Sequence, residues 1–138
     1  MNRLYILLTV MVAMVLAPPF FAAHEALAEV LTGTSGNDTL LGTDRDDRLK
    51  GSGGDDYLNA GGGDDTIEGA SGNDEIIPGG GDDNVFAGAG NDLIYARDTD
   101  GVDYIDCGGG FDKVETIHRD DRTRSNCERA LGPRQGDI

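Results

Sequence analysis

The chain has 138 residues, a formal net charge of −15, 22 glycines, four prolines, two cysteines and no tryptophan. So acidic a chain lacks the basic face that displaces counterions from phosphates, which excludes nucleic acid as a natural partner. Collagen is excluded as well, because only four prolines are present and the glycines recur on a period of nine, not three.

At the amino terminus, Arg3 precedes an apolar run from Leu4 to Ala17, 14 residues long. Pro18 and Pro19 break the run, and Ala26-Leu27-Ala28 offers a small-x-small cleavage site before Glu29. The run falls short of the roughly 20 residues that a helix needs to cross a bilayer. No cysteine lies near the cleavage site, which disfavours a lipid anchor. Residues 1–28 are therefore expected to be a secretory signal peptide, leaving an exported chain with no stable membrane insertion after cleavage. The folded body is expected over 29–115, and a C-terminal cap and tail over 116–138.

Glu29 to Thr32 is a lead-in whose Val30 and Leu31 are placed to cap a first coil. From Gly33 to Glu115 the chain repeats. The units are GTSGNDTLL, GTDRDDRLK, GSGGDDYLN, AGGGDDTIE, GASGNDEII, PGGGDDNVF, AGAGNDLIY, a longer ARDTDGVDYID, and CGGGFDKVE. The sixth position is always aspartate: Asp38, Asp47, Asp56, Asp65, Asp74, Asp83, Asp92, Asp103 and Asp112. The eighth is always aliphatic, and the fourth is glycine in every unit but the second, where Arg45 stands. So short a fixed period predicts a solenoid, in which each unit buries its apolar face only against its neighbours.

Each unit divides into a glycine-rich hexapeptide, read as a tight turn, and a three-residue strand whose middle side chain points inward. Two units then make one coil of 18 residues, and like strands stack in parallel. The predicted columns are Leu40/Leu58/Ile76/Ile94/Val114 and Leu49/Ile67/Val85/Ile105. The fold class is all-β: a parallel β-roll, that is a right-handed β-solenoid, of nine nonapeptide units with a short C-terminal cap. Arg45 would cost on the order of 1 kcal/mol if its position requires a positive φ. Pro78 is tolerable at a turn entrance. The two extra residues within Ala96 to Asp100 are expected to bulge from the stack.

The repeats hold 20 acidic against five basic residues, a balance of −15. Aspartates two units apart lie above one another, so their carboxylates repel unless a cation intervenes. Oxygen-rich sites of carboxylates and turn carbonyls suit calcium, which accepts six to eight oxygen ligands. Magnesium demands a tighter octahedron, while zinc or copper would want histidine or cysteine. Candidate pairs are Asp38/Asp56, Asp56/Asp74, Asp74/Asp92 and Asp92/Asp112 on one edge. On the other they are Asp47/Asp65, Asp65/Asp83 and Asp83/Asp103.

This pattern resembles the repeats-in-toxin (RTX), or haemolysin-type calcium-binding, nonapeptide, written G-G-x-G-x-D-x-aliphatic-x. The resemblance spans Gly33 to Glu115 and implies a β-roll with Ca2+ held between stacked turns. It implies as ligands the nine sixth-position aspartates and turn glycines such as Gly61, Gly63, Gly79 and Gly81, through their carbonyls. Arg45, the insertion in unit eight and Phe111 depart from the pattern and weaken the sites they touch. Toxins and proteases of the family lack a cleavable amino-terminal signal and carry an effector domain, so the resemblance does not imply a toxin here.

Cys107 and Cys127 are expected to form a disulfide in an oxidising compartment, with a two-cysteine metal site as the alternative. The Cys107 and Asn126-Cys127-Glu128 segments resemble the cysteine-closed cap of small exported calcium-binding proteins.

Other motifs give way to simpler readings. Asp98-Thr99-Asp100-Gly101 lacks the offsets of an EF-hand loop. Asn37-Asp38-Thr39 is a glycosylation sequon that falls out of the repeat itself. His118 stands without a catalytic constellation. Adjacent acids such as Asp64/Asp65 lack the two distinct environments of a glycosidase cleft. The tail carries Arg119, Arg122, Arg124 and Arg129 and is read as a cap, with contact to an anionic cell-envelope polymer as the rival reading.

The sequence thus predicts a secreted, non-catalytic calcium-binding protein that folds on binding the ion. An extracellular adhesin or scaffold binding a cell-envelope polysaccharide, with calcium purely structural, is the alternative. A third reading is an enzyme accessory module.

Overall fold

The computed structural model describes residues 28–97, 100–116, 120–124 and 126–131. The signal segment up to Leu27, Asp98 and Thr99 of the unit-eight insertion, His118, Arg119 and the end of the tail from Gly132 lie outside the described residues.

Among the described residues twelve strands follow one another: β1 (Val30–Thr32), β2 (Thr39–Leu41), β3 (Arg48–Lys50), β4 (Tyr57–Gly62), β5 (Thr66–Ser71), β6 (Glu75–Gly80), β7 (Asn84–Ala89), β8 (Leu93–Ala96), β9 (Tyr104–Asp106), β10 (Lys113–Thr116), β11 (Arg122–Thr123) and β12 (Glu128–Leu131). They form two six-stranded sheets, in the orders β1-β3-β5-β7-β9-β11 and β12-β10-β8-β6-β4-β2. Every ladder between them is parallel. The chain alternates between the two sheets at each unit, which makes a β-solenoid with one strand per sheet in each 18-residue coil.

Register follows the repeat. Leu40 pairs with Leu58, Leu58 with Ile76, Ile76 with Ile94 and Ile94 with Val114. Across the core, Leu49 pairs with Ile67, Ile67 with Val85 and Val85 with Ile105. Leu31 extends the second column by pairing with Leu49. Val30, the other expected cap residue, is 74% exposed, because alternation sends it outward.

The strands are longer than the three residues the sequence suggests. β4 to β7 each span six residues, running from the seventh position of one unit to the third of the next. Alternation then sends a second residue inward, the first position of the following unit, so Ala60, Ala87, Ala96 and Cys107 are fully buried beside the aliphatic column. The core is two residues wide per strand, one large and one small. A small first-position side chain is what allows the sheets to close on each other at the turn.

Positive φ falls at the second and fourth positions of units three to seven and nine. Gly63 and Gly81 show why glycine holds the fourth. Their φ values are 105° and 120°, and the Gly63 carbonyl oxygen occupies the place where a Cβ on Gly81 would stand. Arg45 is not among the positive-φ residues, so the strain considered for it does not arise. Unit two turns differently, and Gly36 of unit one likewise lacks a positive φ. Past the unit-eight insertion, Gly101 stacks on the Gly81 carbonyl, and the register resumes with Tyr104 opposite Asn84.

At the far end the chain continues the roll. β11 pairs with β9 and β12 with β10, and Cys127 is bonded to the fully buried Cys107. That disulfide closes a loop of 20 residues, worth about 3 kcal/mol in the chain-entropy account. It ties the last coil to the body.

Because Ile76 is fully buried with stacked partners above and below, Ile76→Ala is expected to lower stability by about 2–5 kcal/mol. Phe111→Ala, at a side chain 89% exposed, is expected to stay within about 0.5 kcal/mol. Thermal unfolding of the two variants checks the contrast.

Candidate metal centre

Alternation that turns position eight and the next position one inward also turns position six inward. The sixth-position aspartates are therefore buried. Asp47, Asp56, Asp65, Asp74, Asp83, Asp92, Asp103 and Asp112 are all at most 4% exposed, and Asp38 in the first unit is half-buried.

One oxygen of each carboxylate is spoken for. The backbone N–H of Asp38 donates to Oδ1 of Asp56, that of Asp56 to Asp74, of Asp74 to Asp92 and of Asp92 to Asp112. On the other edge Asp47 donates to Asp65, Asp65 to Asp83 and Asp83 to Asp103. These bonds run from 2.6 to 3.2 Å. All nine aspartates thus fall into two columns with the pairings the spacing implies.

The second oxygen is another matter. Oδ2 of Asp56, Asp65, Asp74, Asp92 and Asp112 is buried with no hydrogen-bond partner. A buried carboxylate oxygen without a donor is costly, on the order of 1–3 kcal/mol or more for a charged group. Burial pushes Asp65 and Asp92 up to about 6, with the neighbouring aspartate charges adding to the rise and the backbone donor to each opposing it. Asp74 is raised for the same reasons. Asp47 goes the other way: burial would raise it, but the amides of Glu29 and Thr43 and the Thr43 hydroxyl outweigh that and lower it.

The surroundings of Oδ2 fit a hard cation. Asp56 Oδ2 and the Gly69 carbonyl oxygen both crowd the point where a Cβ on Gly51 would stand, the carbonyl at 2.8 Å. Asp74 Oδ2 and the Ala87 carbonyl share the corresponding point at Gly69. Each such gap joins a carboxylate oxygen of one turn to a backbone oxygen of the next coil. The carbonyl oxygens of Gly61 and Gly63 face Gly79 and Gly81, and that of Gly81 faces Gly101, so the expected glycines line the space between successive turns. Among the described residues no three His, Cys, Asp or Glu side chains converge on one point. A centre here must draw on main-chain oxygens, which calcium accepts and zinc does not.

Several contributors were not singled out from the sequence. Asp121 is buried and accepts from the Asp103 amide, continuing the column into the tail. Its signal was its place nine residues after Asp112, in a segment whose other positions lack the glycines. Position five carries a second ladder running the opposite way. The amides of Asp55, Asp64, Asn73, Asp82, Asn91, Val102 and Phe111 donate back to Oδ1 of the Asx residue in the preceding coil, at 2.7 to 3.0 Å. Phe111 and Val102 end these chains, giving an amide and offering no acceptor. Phe111 therefore does not interrupt a ladder.

The family model for the RTX calcium-binding nonapeptide repeat, four copies long, matches residues 26–44, 41–76 and 77–114. No curated protein and no solved structure matches the chain.

The raised carboxylates set a pH dependence in the absence of ions. Unfolded aspartates titrate near 4, whereas Asp65 and Asp92 in the roll titrate at about 6. Between those values the folded chain holds protons that the unfolded chain has released. Their contribution to folding is complete below about 4 and is lost as pH rises through 6. In calcium-depleted buffer, far-ultraviolet circular dichroism is expected to show more β structure at pH 5 than at pH 7.5.

Proposed function

The chain belongs to the RTX calcium-binding nonapeptide repeat family, and we propose that it is a secreted, non-catalytic calcium-binding protein whose β-roll forms as Ca2+ enters the gaps between stacked turns. The observation that carries this reading is the row of buried, partnerless Oδ2 atoms at Asp56, Asp65, Asp74, Asp92 and Asp112. A cation in the gap supplies the counter-charge that the polypeptide does not. The residues that would hold it are the buried sixth-position aspartates from Asp56 to Asp112, with carbonyls of turn residues such as Gly61, Gly63, Gly79 and Gly81.

Folding on ion binding follows from the charge. The repeat carries a balance of −15, aligned in register, on a glycine-rich backbone that is expensive to order. Binding free energy then becomes folding free energy. Extracellular calcium modules work with dissociation constants of roughly 0.1–1 mM, which suits a chain that crosses a membrane unfolded behind a signal at residues 1–28 and folds outside.

A second reading, an extracellular scaffold for a cell-envelope polysaccharide, draws on the outer face of β3, β5 and β7. There Arg48, Thr66, Glu68, Ala70, Phe86 and Gly88 line a groove of about 530 Å³. The Phe86 ring, 41% exposed, lies 6.2 Å from that of Tyr104. Cosedimentation with purified envelope polysaccharide that Phe86→Ala abolishes would favour it.

The principal test is a calcium titration of residues 29–138 followed by far-ultraviolet circular dichroism, with magnesium as the control. A coil-to-β transition between about 0.1 and 1 mM calcium is expected, with none in magnesium. Asp74→Ala is expected to move the midpoint upward about tenfold, equivalent to about 1.4 kcal/mol. A spectrum already β-rich without calcium, and indifferent to it, would overturn the reading.

A further inference from the structure

The turns are of two kinds, and the difference lies at position two. In units one and two that residue is Thr34 or Thr43. Asp38 Oδ2 accepts hydrogen bonds from the Thr34 amide at 2.6 Å and the Thr34 hydroxyl at 2.9 Å. Asp47 Oδ2 accepts the same pair from Thr43, at 2.6 and 2.9 Å. Asp47 Oδ1 also takes the Glu29 amide at 2.6 Å. Three donors therefore surround the Asp47 carboxylate, whereas Asp56 and Asp65 each have one, on Oδ1 alone.

The cause is conformational. A β-branched residue avoids positive φ, so Thr34 and Thr43 keep ordinary backbone angles and aim amide and hydroxyl at their own unit's aspartate. In units three to seven and nine, position two takes positive φ even without glycine, at 87° for Ser52 and 82° for Ala70. The Ser52 amide then donates to the Gly69 carbonyl of the next coil at 3.1 Å, not to Asp56. The aspartate loses its local donors and keeps an open oxygen.

We propose that Thr34 and Thr43 replace the cation in the first coil, so that Asp38 and Asp47 hold no calcium and ion binding begins at Asp56 and Asp65. This rests on the calcium reading above and refines it. The positive ends of an N–H and an O–H dipole occupy the place beside Oδ2 that the cation takes elsewhere. Unit two reinforces the effect with Arg45, a fixed positive charge in the turn at the position where the later units carry glycine. The first coil is thus a protein-satisfied end plate, and the ion-dependent coils build onto it.

Counting bound ions on the intact protein, by equilibrium dialysis against calcium, tests the assignment. The Asp38→Asn/Asp47→Asn pair is expected to leave the number of ions per chain and the midpoint of binding unchanged. The Asp56→Asn/Asp65→Asn pair is expected to lose at least two ions. Thr34→Gly/Thr43→Gly is expected to gain two. If the Asp38→Asn/Asp47→Asn protein loses ions as the downstream pair does, the proposal is overturned while the calcium reading stands. If the wild-type chain binds no calcium at all, the calcium reading itself fails.

Discussion

The structure depends on one constraint: parallel stacking at an 18-residue interval places identical side chains directly above one another. For leucine and isoleucine this is favourable, since each column is a continuous apolar rod. For aspartate it is not. Inward alternation buries the sixth-position carboxylates next to that rod, and the stacking aligns like charges. One oxygen takes the amide of the aspartate one coil earlier, but at Asp56, Asp65, Asp74, Asp92 and Asp112, where position two has positive φ, the other has no donor. These are buried oxygens of the kind that a bound calcium ion satisfies.

Seen this way, the glycine-rich turns serve two ends. Glycine lets successive turns approach until the carbonyl of one lies where the next would have a Cβ, as at Gly63 and Gly81. That approach brings main-chain oxygens to the carboxylates. The same turns carry two ladders of opposite sense, amides at position six donating forward and amides at position five donating backward. Every turn is thereby tied to the coils on both sides, which explains why position five is Asp or Asn wherever another coil follows in the regular stack.

The ends of the roll solve a different problem, since a solenoid exposes unpaired strand edges wherever it stops. At the carboxyl end, β11 and β12 lay a further, irregular coil over the regular ones, held by the Cys107–Cys127 bond and by Arg124 with Asp106 at 3.1 Å. At the amino end, Leu31 closes the second column while threonine hydroxyls complete the first carboxylates. Both devices use the polypeptide's own groups, whereas Oδ2 of Asp56, Asp65 and Asp74 in the interior has no such donor.

The sequence by itself determined the period, and with it the solenoid, the two aliphatic columns and the alignment of Asp38 to Asp112 in two files. These follow from spacing alone, because a strict repeat in a parallel stack leaves the register no freedom. It also determined the chemical class of ligand, since carboxylates and glycine carbonyls are hard oxygen donors. The tertiary structure decided what spacing leaves open. Strand length depended on whether the backbone after position nine stays extended, and it does, adding Ala60, Ala87 and Cys107 to the core. Asp121 joined its column because the tail pairs with β9 and β10, a pairing that its glycine-poor segment does not announce. The distinction between Asp47 and Asp65 is carried by no difference at the aspartates themselves. It arises from the sign of φ four residues earlier, which fixes where an amide points, and that direction exists only in three dimensions.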